Sequence, residues 1–346
     1  MGAASAVAAA ALLAGAAPGG AVVGGQPADR ADYPFFATVG GTRAACGGTL
    51  VAPDRVLTAT HCRDVVDVGD RVRVGPDEVV RRVELLAAHP FNVRRTAKQH
   101  SDAPAPADIM LLKLAAPVDG IAPAAIGSPE ENLTAPGTLA TTIGVGATRP
   151  NGGGGGSLRE GEVRIQGERR CRRELPNRAW RRWSLCTRDP RLPDPDAQRP
   201  FTSACFGDSG GPLLVEHAGA PRVVGVVSFG SFCGRRHDPE IYADAVRARN
   251  FILADDPPWA PLANGRAEIT GRLRVGNRVR CEIDWIVAPT QDVSYFWSAG
   301  FRGLRQEREA IRLGDRTRGR RLQCSVIGGT KGGITAVNSP AVRVRG

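Results

Sequence analysis

The fold of this 346-residue chain is decided by one stretch, Cys205-Phe206-Gly207-Asp208-Ser209-Gly210-Gly211-Pro212. Glycine adopts backbone conformations that other residues avoid, so the glycines on both sides of Ser209 let successive N–H groups point at one place. A serine hydroxyl is a weak nucleophile at neutral pH and needs a base, a carboxylate that orients this base, and donors for a developing oxyanion. The stretch therefore predicts that Ser209 is a nucleophile with hydrogen-bond donors beside it.

Two other segments carry the groups that such a serine needs. His61 lies in the sequence Leu-Thr-Ala-Thr-His-Cys at 57–62, and Asp108 heads an apolar strand in Ala-Asp-Ile-Met-Leu-Leu at 107–112. Asp102 is an alternative orienting acid, but it lies in a Ser/Ala/Pro-rich loop rather than before a strand. The remaining histidines have no such neighbourhood and are expected on the surface or in packing: His89, His100, His217 and His237.

These three segments, in the order His, Asp, Ser, resemble the motifs of the chymotrypsin/trypsin family of serine proteases. The sequence Val-Val-Gly-Gly at 22–25 resembles the family's mature N-terminus, and Cys-Gly-Gly-Thr-Leu at 46–50 precedes the histidine as in the family. Ser-Phe-Gly at 228–230 resembles its substrate-binding strand. The resemblance covers about residues 22–255 and implies a secreted serine endopeptidase.

The resemblance implies a role for each residue of the site. Ser209 attacks the scissile carbonyl, His61 relays its proton to the leaving amine, and Asp108 holds the imidazole tautomer. The backbone N–H groups of Gly207 and Ser209 form the oxyanion hole.

Asp208 is expected to act in activation rather than in the reaction itself. After processing it would pair with the free amino group of Val22 and order the oxyanion loop, while the alternative is that Asp208 only forms a turn. Because no Lys or Arg precedes Val22, signal peptidase acting next to the small residues Gly19 and Ala21 is expected to generate this terminus. The alternative is cleavage after Ala16 or Ala17, which would leave a short stub before Val22.

The residues of the primary pocket predict a mixed preference. The resemblance places Ser203 at the base of this pocket, where a trypsin-like enzyme carries Asp, and Glu240 in place of a glycine on its back wall. A carboxylate there would accept a substrate Lys or Arg and partly block deep aromatic binding. The alternative is that Glu240 faces solvent and pairs with Arg235 or Arg236. The substrate-binding residues implied by the resemblance are Ser203, Phe206, Ser228, Phe229, Gly230 and Glu240.

The eight cysteines form an even set without the close spacing of a zinc site, which indicates disulfides and an oxidising compartment. Spacing alone allows 105 connectivities. The resemblance implies Cys46 with Cys62, Cys171 with Cys186 and Cys205 with Cys233, which leaves Cys281 with Cys324.

The expected organisation is a signal peptide at 1–21, a protease domain at 22–256, a linker at 257–262 and an accessory domain at 263–346. The fold class is all-β: two six-stranded antiparallel β-barrels with a C-terminal helix over Tyr242–Leu253, followed by a small β-sandwich. Cys281 and Cys324 with Trp297 between them resemble an immunoglobulin-like sandwich, in which a core Trp packs against the bridge. The strands of this unit are expected in the alternating segments 272–283 and 336–344.

The expected partners are protein or peptide substrates and a cell-envelope or surface ligand for the C-terminal domain. No cofactor is expected, and residues 69–80 lack the acidic ligand pattern of the family's calcium loop. Ten arginines between Arg164 and Arg191, with Trp180 and Trp183 among them, fit either an acidic surface or a solvated loop. Nucleic acid, a membrane span and an oligomer are not expected. The rival functions are a catalytically silent protease-like binding protein and a surface-attachment protein with incidental proteolysis.

Overall fold

The computed structural model describes residues 21–41, 45–92, 106–150, 152–153, 155–172, 182–192, 194–198, 200–236, 238–300, 302–304 and 306–346. Several sequence-based expectations lie outside the described residues: the signal peptide up to residue 20, the alternative acid Asp102, His100, His237, Trp180 and the middle of the arginine cluster.

The described N-terminal two thirds of the chain are built almost entirely from strands, with short helical turns between them. The strands are β1 Gln26–Pro27, β2 Phe36–Gly40, β3 Ala45–Ala52, β4 Arg55–Thr58, β5 Arg71–Val74, β6 Val79–Ala88, β7 Met110–Leu114, β8 Ala125–Ile126, β9 Leu139–Gly144, β10 Arg159–Ile165, β11 Ser184–Arg188, β12 Pro212–His217, β13 Ala220–Gly230 and β14 Glu240–Asp244. The helices are η1 Thr60–Asp64, η2 Pro129–Glu131, α1 Glu168–Cys171 and α2 Arg249–Ile252.

The first six-stranded barrel closes in the order β2-β3-β4-β7-β6-β5. Its strands turn apolar side chains inward, and the interior is filled by fully buried residues such as Leu50, Leu57, Val72 and Leu112. Because a closed barrel has no free edge, every one of these strands is paired on both sides.

The second barrel runs β9-β10-β11-β14-β13-β12 and closes through pairing of β12 with β9. β1 adds to its β10 edge, and β8 pairs in parallel with β13. The predicted all-β class with two six-stranded antiparallel barrels is confirmed.

The predicted helix over Tyr242–Leu253 is wrong over its first half. Tyr242 lies in β14, between Leu185 of β11 and Val227 of β13, and only Arg249–Ile252 is helical. Burial from two neighbouring strands produced an apolar pattern that resembled a helical one. No helix within the described ranges has the length and hydropathy that a bilayer crossing requires.

The C-terminal unit is a second β structure with its own core. Its elements are β15 Leu262–Ala263, β16 Glu268–Gly271, β17 Arg278–Glu282, β18 Trp285–Val287, β19 Ser294–Ala299, β20 Arg302–Leu304, β21 Ala310–Arg312, η3 Asp315–Thr317, β22 Arg321–Thr330, β23 Gly333–Asn338 and β24 Val342–Arg343. Of the predicted segment 272–283, residues 272–277 form no strand apart from one bridge at Arg274.

The core of this unit is organised around a disulfide and a tryptophan. Cys281 of β17 is joined to Cys324 of β22, and these strands belong to different sheets. Trp297 is 2% exposed, belongs to the same buried cluster and donates from Nε1 to the carbonyl oxygen of Arg308 at 2.8 Å. The bridge therefore ties two packed layers together.

Residues 257–261 connect the two units and are hydrogen-bonded to both. The N–H of Ala260 donates to Leu86 O of β6 at 2.7 Å, and the N–H of Ala88 donates to Gly332 O of the C-terminal unit at 2.8 Å. Thr330 Oγ1 donates to Trp259 O at 2.7 Å. The C-terminal unit therefore adds to the outer end of β6.

Candidate active site

His61 and Asp108 form a hydrogen-bonded pair in the cleft beside the first barrel. His61 lies in the helical turn η1 after β4, and its Nδ1 is 2.7 Å from Oδ2 of Asp108. The N–H of His61 also donates to Oδ1 of the same carboxylate at 3.1 Å. Asp108 is 2% exposed. Two contacts from one buried acid therefore fix both the ring and the backbone of the histidine.

The electrostatic balance at His61 favours a basic imidazole. Burial alone would lower the pKa of His61, but the hydrogen bond and the negative charge of Asp108 together raise that pKa above its usual value. With Nδ1 directed at the carboxylate, Nε2 is left to accept a proton. The side chain is 30% exposed, so the ring remains accessible.

Asp108 is held by an unusual backbone and by a serine from the second barrel. Ala107 has a φ of 57°, which a residue with a Cβ adopts only at a cost, and its carbonyl accepts from Asn92 Nδ2 at 3.3 Å. Ser228 Oγ donates to Asp108 Oδ2 at 2.6 Å. The sequence assigns Ser228 only to the substrate-binding strand, whereas its side chain contacts the orienting acid.

The loop that carries Ser209 packs directly against the segment that carries His61. The N–H of Gly47 donates to Ser209 O at 2.7 Å, and Thr58 Oγ1 donates to Gly47 O at 2.9 Å. A Cβ on Gly210 would lie 2.2 Å from Thr58 Oγ1. Only glycine allows this approach, so the loop of Ser209 lies against β4, the strand that precedes His61.

Two backbone donors accompany the serine. The carbonyl of Phe206 accepts from the N–H of Ala147 at 2.7 Å, so the N–H of Gly207 in the same trans peptide points the opposite way. Gly207 has a φ of 92°. Among the described residues, the N–H groups of Gly207 and Ser209 have no hydrogen-bond acceptor. Such groups are available for an oxyanion.

Asp208 is fully buried beneath this loop and accepts three backbone N–H groups. They come from Gly146 to Oδ1 at 2.8 Å, and from Cys205 and Val22 to Oδ2 at 2.8 Å and 3.3 Å. Burial raises the pKa of Asp208 to about 6, although these three donors oppose the shift. A Cβ on Gly144 would lie 2.1 Å from Asp208 Oδ1. The alternative in which Asp208 only forms a turn is wrong.

The predicted pocket residues lie around the start of β14. Ser203 is buried, accepts a hydrogen bond from the N–H of Gly234 at 2.7 Å, and bridges to Val23. Glu240 is 6% exposed and pairs in register with Gly230. A Cβ on Gly230 would lie 2.6 Å from Oε2 of Glu240, so the carboxylate lies against the substrate-binding strand. The side chain of Glu240 is therefore buried, and its role in the substrate pocket stays a prediction.

The two phenylalanines predicted to bind substrate differ in their exposure. Phe206 is 70% exposed at the cleft rim, while Phe229 packs on the Cys171–Cys186 bridge and Ile241. The four predicted disulfides are confirmed.

Sequence reasoning missed the residues that shape the site from behind. Gly144 and Gly146 leave room for Asp208 and its loop, and the sequence Gly-Val-Gly at 144–146 was the available signal.

His89 was expected as a surface or packing residue. Its ring packs with centroids 4.6 Å from Trp183 and 5.1 Å from Phe251. Burial lowers the pKa of His89 to about 4, so this histidine is neutral at physiological pH.

Comparison with known proteins identifies the class that this fold and site define. The Trypsin family model matches residues 22–252. Trypsin of Saccharopolyspora erythraea is 30% identical over 236 residues, which are 64% of this chain and 92% of that protein. The venom peptide isomerase heavy chain of Agelenopsis aperta is 28% identical over 67% of this chain and 98% of that protein.

Two further relatives set the limits of the comparison. The suppressor of tumorigenicity 14 protein homolog of Bos taurus is 29% identical over 67% of this chain, but the match covers only 28% of that longer protein. The solved structure of neuropsin, a serine protease of mouse brain, has the same fold: TM-score 0.54 and 24% identity over 66% of this chain and 97% of that one. The chain belongs to the trypsin family of serine proteases. Its C-terminal unit lies beyond the residues that the family model matches.

Proposed function

We propose that this protein is a secreted serine endopeptidase in which Ser209, His61 and Asp108 form the catalytic triad. The observation that carries the proposal is the hydrogen-bonded line from Ser228 through Asp108 to His61. The loop of Ser209 is bonded to Gly47, and the N–H groups of Gly207 and Ser209 have no acceptor in the part of the chain that the structure describes. His61 takes the proton of Ser209 as its oxygen attacks the carbonyl. The N–H groups of Gly207 and Ser209 stabilise the oxyanion, and the protonated His61 then protonates the leaving amine to give an acyl-enzyme.

The test is covalent labelling of Ser209 by a fluorophosphonate probe, together with hydrolysis of a peptide amide. Ser209→Ala should abolish labelling and lower the hydrolysis rate by several orders of magnitude with the fold intact. Ser231→Ala, a serine substitution elsewhere in the described cleft region, is the matched control and should label normally. No labelling of the unmodified chain would favour the rival of a catalytically silent binding protein, and labelling that persists in Ser209→Ala would assign the nucleophile to another residue.

The proposed mature N-terminus is Val22. In the intact chain Val22 is a β-branched residue with a φ of 55°, which is a strained conformation. This angle is defined by the Ala21–Val22 peptide bond, so cleavage of that bond removes the strain and creates an ammonium group 3.3 Å from Asp208. Ala21 and Val22 are both fully buried, which favours cleavage before folding, as in export by signal peptidase. The four disulfides fit the same extracellular destination.

The proposed pocket preference is mixed, basic and aromatic. Glu240 supplies a buried carboxylate beside Gly230, and Ser203 leaves the base of the pocket without a fixed charge. A substrate Arg or Lys would pair with Glu240, while the neutral base also admits apolar side chains.

The C-terminal unit is proposed to be an immunoglobulin-like accessory domain for surface attachment. The support is the Cys281–Cys324 bridge between two sheets with Trp297 in the same core. With this role, the rival function of attachment with incidental proteolysis is compatible with the proposal, because each unit of the protein would have its own function. Binding of the full chain to a surface ligand, measured separately from peptide hydrolysis, tests it.

A further inference from the structure

The C-terminal unit carries most of the net charge of the chain. Residues 263–346 contain 16 Lys and Arg residues against seven Asp and Glu residues, a net charge of +9 out of +11 for the whole chain. The preceding 262 residues contain 30 basic and 28 acidic residues. A uniform bias toward arginine would not divide in this way, so the excess is a property of this unit.

Three pairs of arginines in this unit lie directly opposite each other on neighbouring backbone segments. The pairs are Arg278 with Arg312, Arg321 with Arg343, and Arg274 with Arg345. All six residues are exposed. Like charges directly opposite each other destabilise a sheet, so each pair works against the fold.

Acidic neighbours do not neutralise these pairs. Within the described part of the chain, none of the six guanidinium groups makes an ion pair, although Arg280 pairs with Glu309 and Arg318 with Asp315 close by. Arg312 and Arg321 donate only to backbone carbonyl oxygens, at 2.9 Å and 3.0 Å. A local rule broken three times without compensation indicates a function outside the fold itself.

The paired arginines belong to one end of the unit. The N–H of Val275 donates to Arg345 O at 3.2 Å, and the N–H of Val344 donates to Arg320 O at 2.9 Å, which joins the segments 272–278, 312–321 and 343–346. An open groove of about 690 Å³ beside them is lined by Arg278, Arg308 and Arg312, with Glu307 as its acid. We call the three segments and this groove the basic end.

The chemistry of the basic end favours an anionic polymer over a single-stranded nucleic acid. The planar guanidinium group of arginine binds sulfate, phosphate and carboxylate groups through paired hydrogen bonds. The bases of a single-stranded nucleic acid would also need exposed aromatic rings for stacking. The large exposed apolar side chains of the unit, Ile286, Phe296 and Ile334, lie on β18, β19 and β23 rather than on the three segments.

We propose that the basic end binds a linear anionic polysaccharide, whose sulfate or carboxylate groups pair with the opposed arginines. The inference rests on the proposed attachment role of the C-terminal unit and is independent of the peptidase reaction. Binding would also relieve the repulsion within each arginine pair, because an anionic group between two guanidinium groups attracts both.

The test is binding of the full-length Ser209→Ala chain to heparin and to polygalacturonate, with neutral dextran as the reference. In the variant Arg274→Glu/Arg278→Glu/Arg321→Glu, an acid faces each remaining arginine. Its affinity for both polyanions should fall at least about tenfold at roughly 0.15 M NaCl, with a shallower salt dependence. Its melting temperature should stay equal or rise, because each repulsive pair becomes an ion pair. Weaker binding by an equally stable protein is a result that a purely structural role would not give.

The matched control is Arg169→Glu/Arg170→Glu/Arg172→Glu. These three arginines line a separate open groove of the peptidase unit, beside Arg164, and the variant changes the net charge equally. It should retain binding. Both arginine variants, prepared with Ser209 unchanged, should hydrolyse a small peptide equally well. The hydrolysis assay therefore tests the peptidase proposal separately from polyanion binding. Unchanged affinity in the first variant, an equal loss in the control, or tighter binding to duplex DNA than to both polysaccharides would each overturn the proposal.

Discussion

The backbone nitrogen of Val22 lies 3.3 Å from Oδ2 of the fully buried Asp208. In the intact chain this nitrogen is an uncharged peptide N–H, and the carboxyl group that faces it has a pKa raised to about 6 by burial. Cleavage before Val22 would turn the same atom into a cation. The protonation of Asp208 would therefore change if the bond before Val22 were cleaved.

We predict that the stability of the intact chain falls between about pH 4 and pH 6. The folded pKa of Asp208 is about 6 against 3.8 for an ordinary aspartate, so the folded state holds a proton that the unfolded state has lost. The contribution of Asp208 to the free energy of unfolding is fully present below the unfolded pKa. It declines by up to about 3 kcal/mol as the pH rises through the folded pKa. Urea unfolding of Ser209→Ala protein across this range measures it.

A chain that begins at Val22 should not show this decline, because its ammonium group stabilises the ionised carboxylate. The intact Asp208→Asn chain should also lose this component of the pH dependence. Parallel unfolding curves for the intact and shortened chains would contradict the assignment of Val22 as the partner of Asp208.

We predict that Asp108→Asn lowers kcat by about 10⁴-fold, because the imidazole loses its orienting acceptor and adopts the wrong tautomer. In the unmodified enzyme Asp108 raises the pKa of His61, so kcat/KM should rise with pH through a midpoint above that of an ordinary histidine. In Asp108→Asn burial dominates and that midpoint should move lower. Ser228→Ala, which keeps the carboxylate, is the control and should lose roughly tenfold or less. A pH profile that is identical in Asp108→Asn would disprove the coupling.

We predict that Glu240→Gly reduces cleavage after Arg and Lys and raises the relative rate after Phe and Tyr. A tenfold change in preference corresponds to only about 1.4 kcal/mol, which one pocket charge can supply. Glu240→Gln separates charge from volume: it should lose the basic preference without gaining the aromatic one. The measurement is kcat/KM on substrates that differ only in the residue before the cut. An unchanged ranking in both variants would place the carboxylate's influence elsewhere.

We predict that Gly144→Ala damages both stability and activity, because its methyl group would lie 2.1 Å from Asp208 Oδ1. Relieving this contact should cost about 2 kcal/mol of unfolding free energy and displace the serine loop. Gly303→Ala, which adds a methyl group to open space in β20, is the control and should be close to neutral. Chemical unfolding and peptide hydrolysis of the two variants give the comparison.

The sequence predicted those parts of the site whose residues are fixed by chemistry. The roles of His61, Asp108 and Ser209 could be predicted because few residue types can act as the base, the orienting acid and the nucleophile of this reaction. The contact of Ser228 with Asp108 could not be predicted, because it joins residues 120 positions apart on different barrels. Gly144 was missed for a similar reason, because the sequence does not show which distant residue packs against a glycine.

The error over the helix at 242–253 has another cause. A strand buried on both faces loses the alternation of period two, and its apolar residues then satisfy a helical pattern equally well. Tyr242 lies in such a strand, and only the pairing partners in β11 and β13 distinguish the two structures. The opposed arginines of the basic end were equally hidden, because register is a property of the folded sheet.

The hydrogen bonds that the junction makes with β6 have a consequence for what the peptidase can reach. A flexible linker would let the active cleft sweep through a volume around its point of attachment. Here Ala260 and Gly332 are bonded to the same strand of the first barrel, two residues apart at Leu86 and Ala88. If the C-terminal unit is bound to a surface, the active-site cleft therefore keeps a fixed distance from that surface and a fixed orientation relative to it. Selection among substrates would then depend on how far each projects from that surface, in addition to the side chain that enters the pocket.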